Sequence, residues 1–547
     1  MIIRIFTAIV FLSLIFASTL VRSDWVNLTG AETSPNIAEI YVLDDHVKLV
    51  LEIYVGDLDA FDELIPDDWL KDSNIKRSPI EERLQKFANN KFQFITDTGE
   101  KLSAKLILVE PRLRIDRKSR FAGMINPYTR QRIPEAPEDK RVLYAKISYP
   151  FNTKPKTLTI IPPLNEEGRA LVNLGFIAYH KSVPIIDFRY LGQAAKLNLD
   201  WPDPWYTKFE NKNLTRHHKY PLMLYLYVEP RQVRLESLMR FSDIAELTGF
   251  NFEDIHASVE DKHQLLQEHI KNYYVDKETL QIDDDLFKPD SIRVEFLNAT
   301  LSGLKVIDIA TAVDKYSLLV GVSQQYLIDA LPQKIEARWQ FFNQRIDRIP
   351  VTVIDPAGPF PSFIDKTDPE FGWQNSLKKY SEPVIHPVEI ETGWRINIPY
   401  FGEMKIFNQM PDQQQALSIV GDVLENVRVA FIEKEPGNFS RELGKVISSK
   451  QADVTKNELA KLFSPKVTGG AVGAVQVFDD VQIVNMQELN NPDGFSAIIS
   501  GSANISAKHW GHVDRRLVKF QVLLDLIEVN KQWRLADLTV INIKEAK

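Results

Sequence analysis

The sequence predicts a mainly β chain with an α+β end: two tandem antiparallel β-sandwich-like domains with helical insertions, then helices followed by a four-strand curved sheet. Three observations predict it. Strand-type alternation dominates the first two-thirds of the 547 residues, with proline-bearing turns and few long helices. The order of elements in the first stretch recurs in the second. After residue 412 the pattern turns helical and then becomes four long alternating runs.

The chain opens with one basic residue, Arg4, an apolar run from Ile5 to Ala17 and a polar end. That is the layout of a secretory signal, and Val21 and Ser23 suit a cut after Ser23. The expected division is a signal at 1–23, sandwich-like domains at 24–228 and 229–395, and an α+β domain at 396–547. An uncleaved anchor is the alternative, since Ile5–Val21 is almost long enough to span. No later stretch is long and apolar enough, so no transmembrane segment is expected after cleavage.

Of 66 basic and 74 acidic side chains, Arg4 and Arg22 leave with the leader. The acidic balance makes nucleic acid a poor partner, because phosphate contacts need a basic face. There is no cysteine. Export without cysteine points to a bacterial protein, periplasmic or secreted, whose core is large enough to do without disulfides. It also excludes thiol catalysis, thiolate zinc sites, iron–sulfur clusters and c-type haem. The five N-x-S/T sequons, at Asn27, Asn213, Asn298, Asn438 and Asn504, are then chance matches.

In the first domain, 37–55 reads as a hairpin turning at Asp44-Asp45. The runs at 142–151 and 156–163 read as a second pair, and 175–191 as a third. "VKLVLEIYVGDLDAF" (47–61) lies on "VRLESLMRFSDIAEL" (233–247) without a gap, matching Val47 with Val233 and Asp57 with Asp243. A charged amphipathic helix follows each copy, at 80–90 and 259–274. Further on, 142–160 parallels 317–338, and "DWPDPW" (200–205) is echoed in "TDPEFGW" (367–373). The acid-rich 56–68 lacks the glycine and ligand spacing of an EF-hand loop. Asp57 and Asp243 are expected as helix N-caps instead. The alternating strand, the Asp-Leu step and the helix of the first sixty or so mature residues resemble the exported N-terminal region of hydrogenase/urease accessory permeases. That resemblance brings no transport function, because the membrane-spanning part is missing. The proline-rich 349–371 is expected to run over the surface of the second domain.

In the last domain Asp412 can cap a long helix, with Leu417, Val420, Leu424, Val427 and Phe431 on its buried face. A shorter helix at 454–463 follows, then strands at roughly 474–489, 495–508, 512–529 and 532–545. If Trp510-Gly511 is a two-residue turn, His509 faces His512 and the whole register follows. Ile505 then meets Arg516, Ala503 Val518, Gly501 Phe520 and Ile499 Val522, small against large. The other face pairs Ser506 with Arg515 and Ser502 with Lys519. A one-residue slip would scramble both. Helices followed by "HWGHVDRR" and "QWRLADLTVI" in a long meander resemble the nuclear-transport-factor-like cone fold. The resemblance implies a curved sheet around a pocket, in a superfamily with both enzymes and binding modules.

The register places His509, His512, Asp514 and Arg516 at one end of the apolar face. With a turn at Asn530-Lys531, Asp537 falls opposite Leu524 on that face. These five are the candidate ligand-binding residues. Directly opposed histidines stand about 5 Å apart at Cβ, close enough to share a metal with Asp514. No further histidine or cysteine is nearby, so no metal is assigned; His509 and His512 are the metal candidates of a second alternative, a periplasmic metal-binding protein. Asp514 or Asp537 with a histidine would suit proton abstraction in a lyase or isomerase. The phenolic donor of isomerase-type members is lacking, since no tyrosine follows Tyr400. An ionic cluster tying the hairpin corner to helix ends or a neighbouring domain is the simpler reading. No H-E-x-x-H, G-x-S-x-G, P-loop or G-x-G-x-x-G occurs, and adjacent His217 and His218 point to opposite faces of a strand.

Two surfaces suit a partner. The basic stretch 111–132 includes Arg112, Arg114, Arg117, Lys118 and Arg120, and has no counterpart in the second repeat. Trp201, Trp205 and Tyr206 cluster among prolines, as a rigid contact surface or as packing under the sandwich edge. The sequence therefore predicts an exported, non-enzymatic protein that binds an envelope protein or small ligand, with an inner-membrane partner among the options. No catalytic residue and no cofactor are assigned.

Overall fold

The computed structural model describes residues 28–69, 77–117, 119, 121–216, 219–251, 258–275, 280–300, 303–307, 316–400, 402–407, 410–448, 452–465, 472–489 and 494–545. The expected leader at 1–23, Lys118, Arg120, His217 and His218 lie outside the described residues. The described chain is mainly β, with two seven-stranded sheets, three four-stranded sheets and a two-stranded pair.

The alternation at 37–55 gives the hairpin it predicts: Asn36–Val42 pairs with His46–Tyr54, Val42 opposite Val47. In the first large sheet these strands are flanked by Arg141–Pro150 and Lys105–Leu113 on one side. Leu174–His180 and Val183–Pro184 lie on the other. A small sheet holds Gln93–Thr96, Thr157–Ile161, Ala195–Asn198 and Lys208–Phe209. One core joins Ile40, Leu49 and Ile147 of the large sheet to Phe94, Leu158 and Leu197 of the small one. Leu84 and Phe87 of helix Ile80–Asn90 complete it. The expected pairing of 142–151 with 156–163 does not form. The short link between them carries the chain from one sheet to the other.

The second large sheet repeats this order with Ser291–Thr300, Leu318–Leu327, Gln232–Arg240, Leu222–Glu229, Arg348–Asp355 and Gly358–Asp365. Gly303–Val306 is added at the near edge. Both large sheets contain one parallel pair, Asn36–Val42 with Leu174–His180 and Leu222–Glu229 with Arg348–Asp355. The match reaches single residues: Val47 faces Tyr149, Val233 faces Tyr326, and both tyrosines are buried. Leu280–Ile282, Asp285–Phe287, Lys334–Arg338 and Glu370–Gln374 form the second small sheet.

Two local expectations need correction. The proline-rich 349–371 supplies strands of both second-unit sheets. Pro359 and Pro361 are tolerated because their strand, Gly358–Asp365, is an edge strand. Asp57 and Asp243 sit within the first helical turn and do not cap it. Each carboxylate meets a side chain instead: Asn36 Nδ2 donates to Asp57 at 2.7 Å, and Arg240 Nε to Asp243 at 2.5 Å.

In the C-terminal unit Asp412 and Gln415 form a reciprocal capping box on helix Gln413–Ala430. Its buried stripe is Ala416, Ile419, Val420, Val423, Leu424, Val427 and Ala430. Leu417, expected on that stripe, is exposed. Helices Pro436–Val446 and Ala452–Phe463 follow, then strands Ala474–Leu489, Gly494–His509, His512–Val529 and Gln532–Glu545. Leu424, Val427, Leu443, Leu459 and Phe463 pack against Ala497, Ile499, Val522 and Leu524, filling the inner face of the sheet. The stretch around Val388 joins this core, and its carbonyl accepts from Trp533 N–H at 2.9 Å.

Candidate functional site

Trp510 and Gly511 form a two-residue turn with φ of 47° and 77°, and His509 pairs with His512. Positive φ at both central residues is the turn that suits strand twist. Every pair derived for these two strands forms, from Ala503 with Val518 to Ile505 with Arg516. Asp537 is the exception. A register shift between Asp525 and Leu526 sets it opposite Asp525, and Leu524 meets Leu538 instead. The extra residue turns Asp537 away from the apolar face.

A left-handed tryptophan costs about 1–2 kcal/mol, and the indole explains why it is kept. Trp510 is fully buried in the outer face of the second large sheet, against Leu238, Leu297, Leu319 and the first unit's Trp205 and Val183. Burying an indole removes roughly 200 Å² from water, worth about 5 kcal/mol, so burial wins. Gly321 makes room, since a Cβ there would lie 2.5 Å from Trp510 Cη2. Gly511 must also be glycine, because a Cβ would collide with the Tyr225 ring.

Polar groups of the second unit close around the turn. Trp510 N–H donates to buried Glu236 at 2.6 Å, and Gly511 N–H donates to Tyr227 Oη at 2.9 Å. Arg234 pairs with Glu236 at 3.1 Å, lies over the Tyr227 ring and donates to Lys508 C=O at 2.7 Å. Burial and the Glu236 carboxylate raise the Tyr227 hydroxyl well above its ordinary pKa, so it stays protonated. Lys508 reaches Glu229 at 3.1 Å. Burial alone would raise Glu229, but Lys508 and Arg234 hold it at about 2.

His509 is buried, with Nε2 3.3 Å from Asp514 Oδ2. That contact, with Arg516 and His512 nearby, lowers the Asp514 carboxyl despite its partial burial. On the second unit's side burial raises Glu295, opposed by Arg293 and His509. His512 lies across from His509, ring centres 6.5 Å apart. Arg516 stands further down the face, 3.7 Å from Glu545. Among the described residues no three His, Cys, Asp or Glu side chains are grouped to hold a metal ion. A cleft of about 150 Å³ opens beside Arg516, lined also by Lys461, Leu462, Ile505, Val518 and Glu545. His509, His512, Asp514 and Asp537 do not line it.

The expected partner residues are mostly used internally. Arg114 is buried and donates to Ser34 C=O at 2.9 Å. Arg117 bridges Glu39 at 2.9 Å and Glu52 at 2.7 Å. Both are engaged within the first unit, Arg114 by the Ser34 carbonyl and Arg117 by the carboxylates of Glu39 and Glu52. Arg112 is exposed, over the Tyr144 ring and paired with Glu110. Trp205 is buried at the junction of the first two units, and Trp201 donates to Pro155 C=O at 2.8 Å. Arg240 of the second unit covers Tyr206 and reaches Asp203 at 2.8 Å. Trp205 and Tyr206 therefore pack between units, and Trp201 packs within the first, against Phe151 and His180.

Sequence reasoning missed the receiving residues, Tyr227, Glu236 and Gly321. Two signals pointed to them: a carboxylate inside the apolar run "VRLESLMRF", and a glycine inside the strand "LLVGVSQQYL". No helix among the described residues is long and apolar enough to cross a membrane. No family model matches the chain, and no curated protein matches it.

Proposed function

We propose that this is an exported, non-enzymatic binding and assembly protein of the bacterial cell envelope, with two sandwich-like units and a cone-like unit held as one body. The joint at Trp510 carries this reading. The side chains that most resembled a catalytic corner sit at a contact between units, and the inner face of the curved sheet is filled. The lyase or isomerase alternative needs a pocket. Of the residues such an enzyme would use, His509, His512, Asp514 and Asp537 do not line the cleft of about 150 Å³ beside Arg516.

What remains for function is surface. Strand Lys105–Leu113 is the outer strand of the first large sheet, with Ile107 56% and Leu113 70% exposed. Such an edge suits addition of a partner strand. Pro111 and the irregular register between Leu106 and Leu108 restrain indiscriminate pairing. A protein that offers a strand is therefore the partner class, and on the export reading it is an envelope protein. The test is crosslinking in envelope extract with wild-type chain and with Ile107→Asp/Leu113→Asp. A partner crosslinked through 105–113 and lost in the variant is expected. Identical crosslinks in both, or none, would overturn the reading.

A further inference from the structure

The two large sheets can be laid on each other residue by residue, and one strand is left over. With Tyr149 set on Tyr326, the registers bring Val109 onto Val294, Glu110 onto Glu295 and Pro111 onto Phe296. Strand Lys105–Leu113 is thus the counterpart of Ser291–Thr300. In the second unit the chain folds back and adds Gly303–Val306 outside that strand, antiparallel, with Val306 opposite Leu297. In the first unit it does not. Beyond Leu113 the chain crosses its own sheet, where Arg117 reaches Glu52 and Glu39. Among the described residues no strand pairs outside Lys105–Leu113.

The backbone groups at this open edge match those the second unit uses. Arg114 N–H donates to Lys140 C=O at 2.8 Å. Bonds alternate along an antiparallel pair, so Arg112 and Glu110 also bond towards 141–150, while Val109, Pro111 and Leu113 face outward. Phe296, at the place of Pro111, accepts from Ile307 N–H at 2.8 Å. Pro111 keeps that acceptor and lacks only the N–H. The side chains say what an added strand would carry. Val109 packs against the core, and Leu113, on the same face, is exposed. On the other face Lys105 and Arg112 are exposed, and Arg112 and Lys146 lie over the Tyr144 ring. Glu110, paired with Arg112, is the carboxylate among them. Alternation sets aliphatic side chains of an added strand beside Val109 and Leu113, and carboxylates beside Lys105 and Arg112.

We infer that strand Lys105–Leu113 takes up an extended segment of a partner protein, antiparallel and alternating aliphatic with acidic side chains, as Gly303–Val306 is taken up in the second unit. The inference rests on the reading of this edge as the partner surface, and adds direction and charge to it. Because the chain has no cysteine, single thiols report direction. The probe is a peptide as long as the strand, alternating valine and glutamate, with one cysteine at its amino or its carboxyl end. It is equilibrated in glutathione buffer with full-length Leu113→Cys, Lys105→Cys or, as a control, Lys366→Cys, all exposed positions. Held antiparallel, the amino-terminal thiol is expected to join position 113 over 105 by at least about tenfold, and the carboxyl-terminal thiol the reverse. Lysine in place of glutamate should lower the yield at least about fivefold, and Arg112→Glu should reverse that preference. Methylating alternate backbone nitrogens of the peptide should abolish capture. Equal or opposite end preference, indifference to charge or to methylation, or capture no better than at 366 overturns the inference. Leu113→Cys chains that join one another in preference to the peptide would make a second copy the occupant, and overturn it too. Any such failure with an envelope protein still crosslinked through 105–113 strikes direction and charge and leaves the edge reading intact. Thermal melts matching wild type confirm that each variant is folded.

Discussion

His180 is buried in the first unit, its Nδ1 2.6 Å from Thr207 Oγ1 and its ring against the Trp201 indole. Burial first, and then Lys181, push its pKa down to about 4. The unfolded chain holds the same group near 6.5. Above that pH neither state carries the proton and the contribution to stability is complete. As pH falls from about 6.5 towards 4, the unfolded state takes up a proton that the folded state refuses, and stability drops. The ceiling is about 3 kcal/mol. Urea midpoints of wild type and His180→Asn are expected to converge between pH 7 and pH 4.5. Parallel curves would remove His180 from the acid response. The same scale shows why Glu236 was hard to place. A carboxylate in an apolar strand needs partners, and besides Arg234 two residues before it Glu236 accepts from a backbone N–H 274 residues away. No local pattern encodes that separation.

At the scale of the element, the hairpin 494–529 was legible because alternation and residue size both constrain its register, and a slip exchanges the two faces. The Asp537 strand was less so, since a single unpaired residue moves everything beyond it. Helix Gln413–Ala430 was legible in its cap but not in its rotation. Its stripe includes Ala416 and Ile419, and Leu417 satisfied the same three/four spacing with Val420 and Leu424 while lying just beyond the stripe's edge. The turn itself gives the sharper prediction. Gly511→Ala adds left-handed strain of about 1–2 kcal/mol and forces the Tyr225 ring aside at about 1–3 kcal/mol. A total loss of about 2–5 kcal/mol is expected in chemical denaturation. A change below about 0.5 kcal/mol, the range of ordinary surface substitutions, would show that the tip is not seated against Tyr225.

For the whole molecule the question is what makes three units one body. The first and second are joined by Arg240 with Asp203 and by Arg345 with Asp200 at 3.0 Å, around the buried Trp205. The C-terminal unit adds Arg231 with Glu433 at 2.5 Å and Lys508 with Glu229, but its one large apolar contact in that cluster is Trp510. Partly exposed ion pairs contribute about 0–1 kcal/mol each, whereas truncating a buried tryptophan costs about 3–5 kcal/mol. The indole should therefore decide whether the unit stays attached. With a protease site placed after exposed Lys379, cleaved wild type should elute from gel filtration as one species, because the joint bridges the cut. Cleaved Trp510→Ala should separate into a piece ending near 379 and a C-terminal piece, each retaining its far-ultraviolet dichroism. Co-elution of both variants would move the attachment to the ion pairs, and separation of both would mean that the covalent link alone holds the unit. The turn at Trp510-Gly511 then acts on the molecule as a whole: its indole shares one buried cluster with Leu238 and Leu319 of the second unit and Trp205 and Val183 of the first.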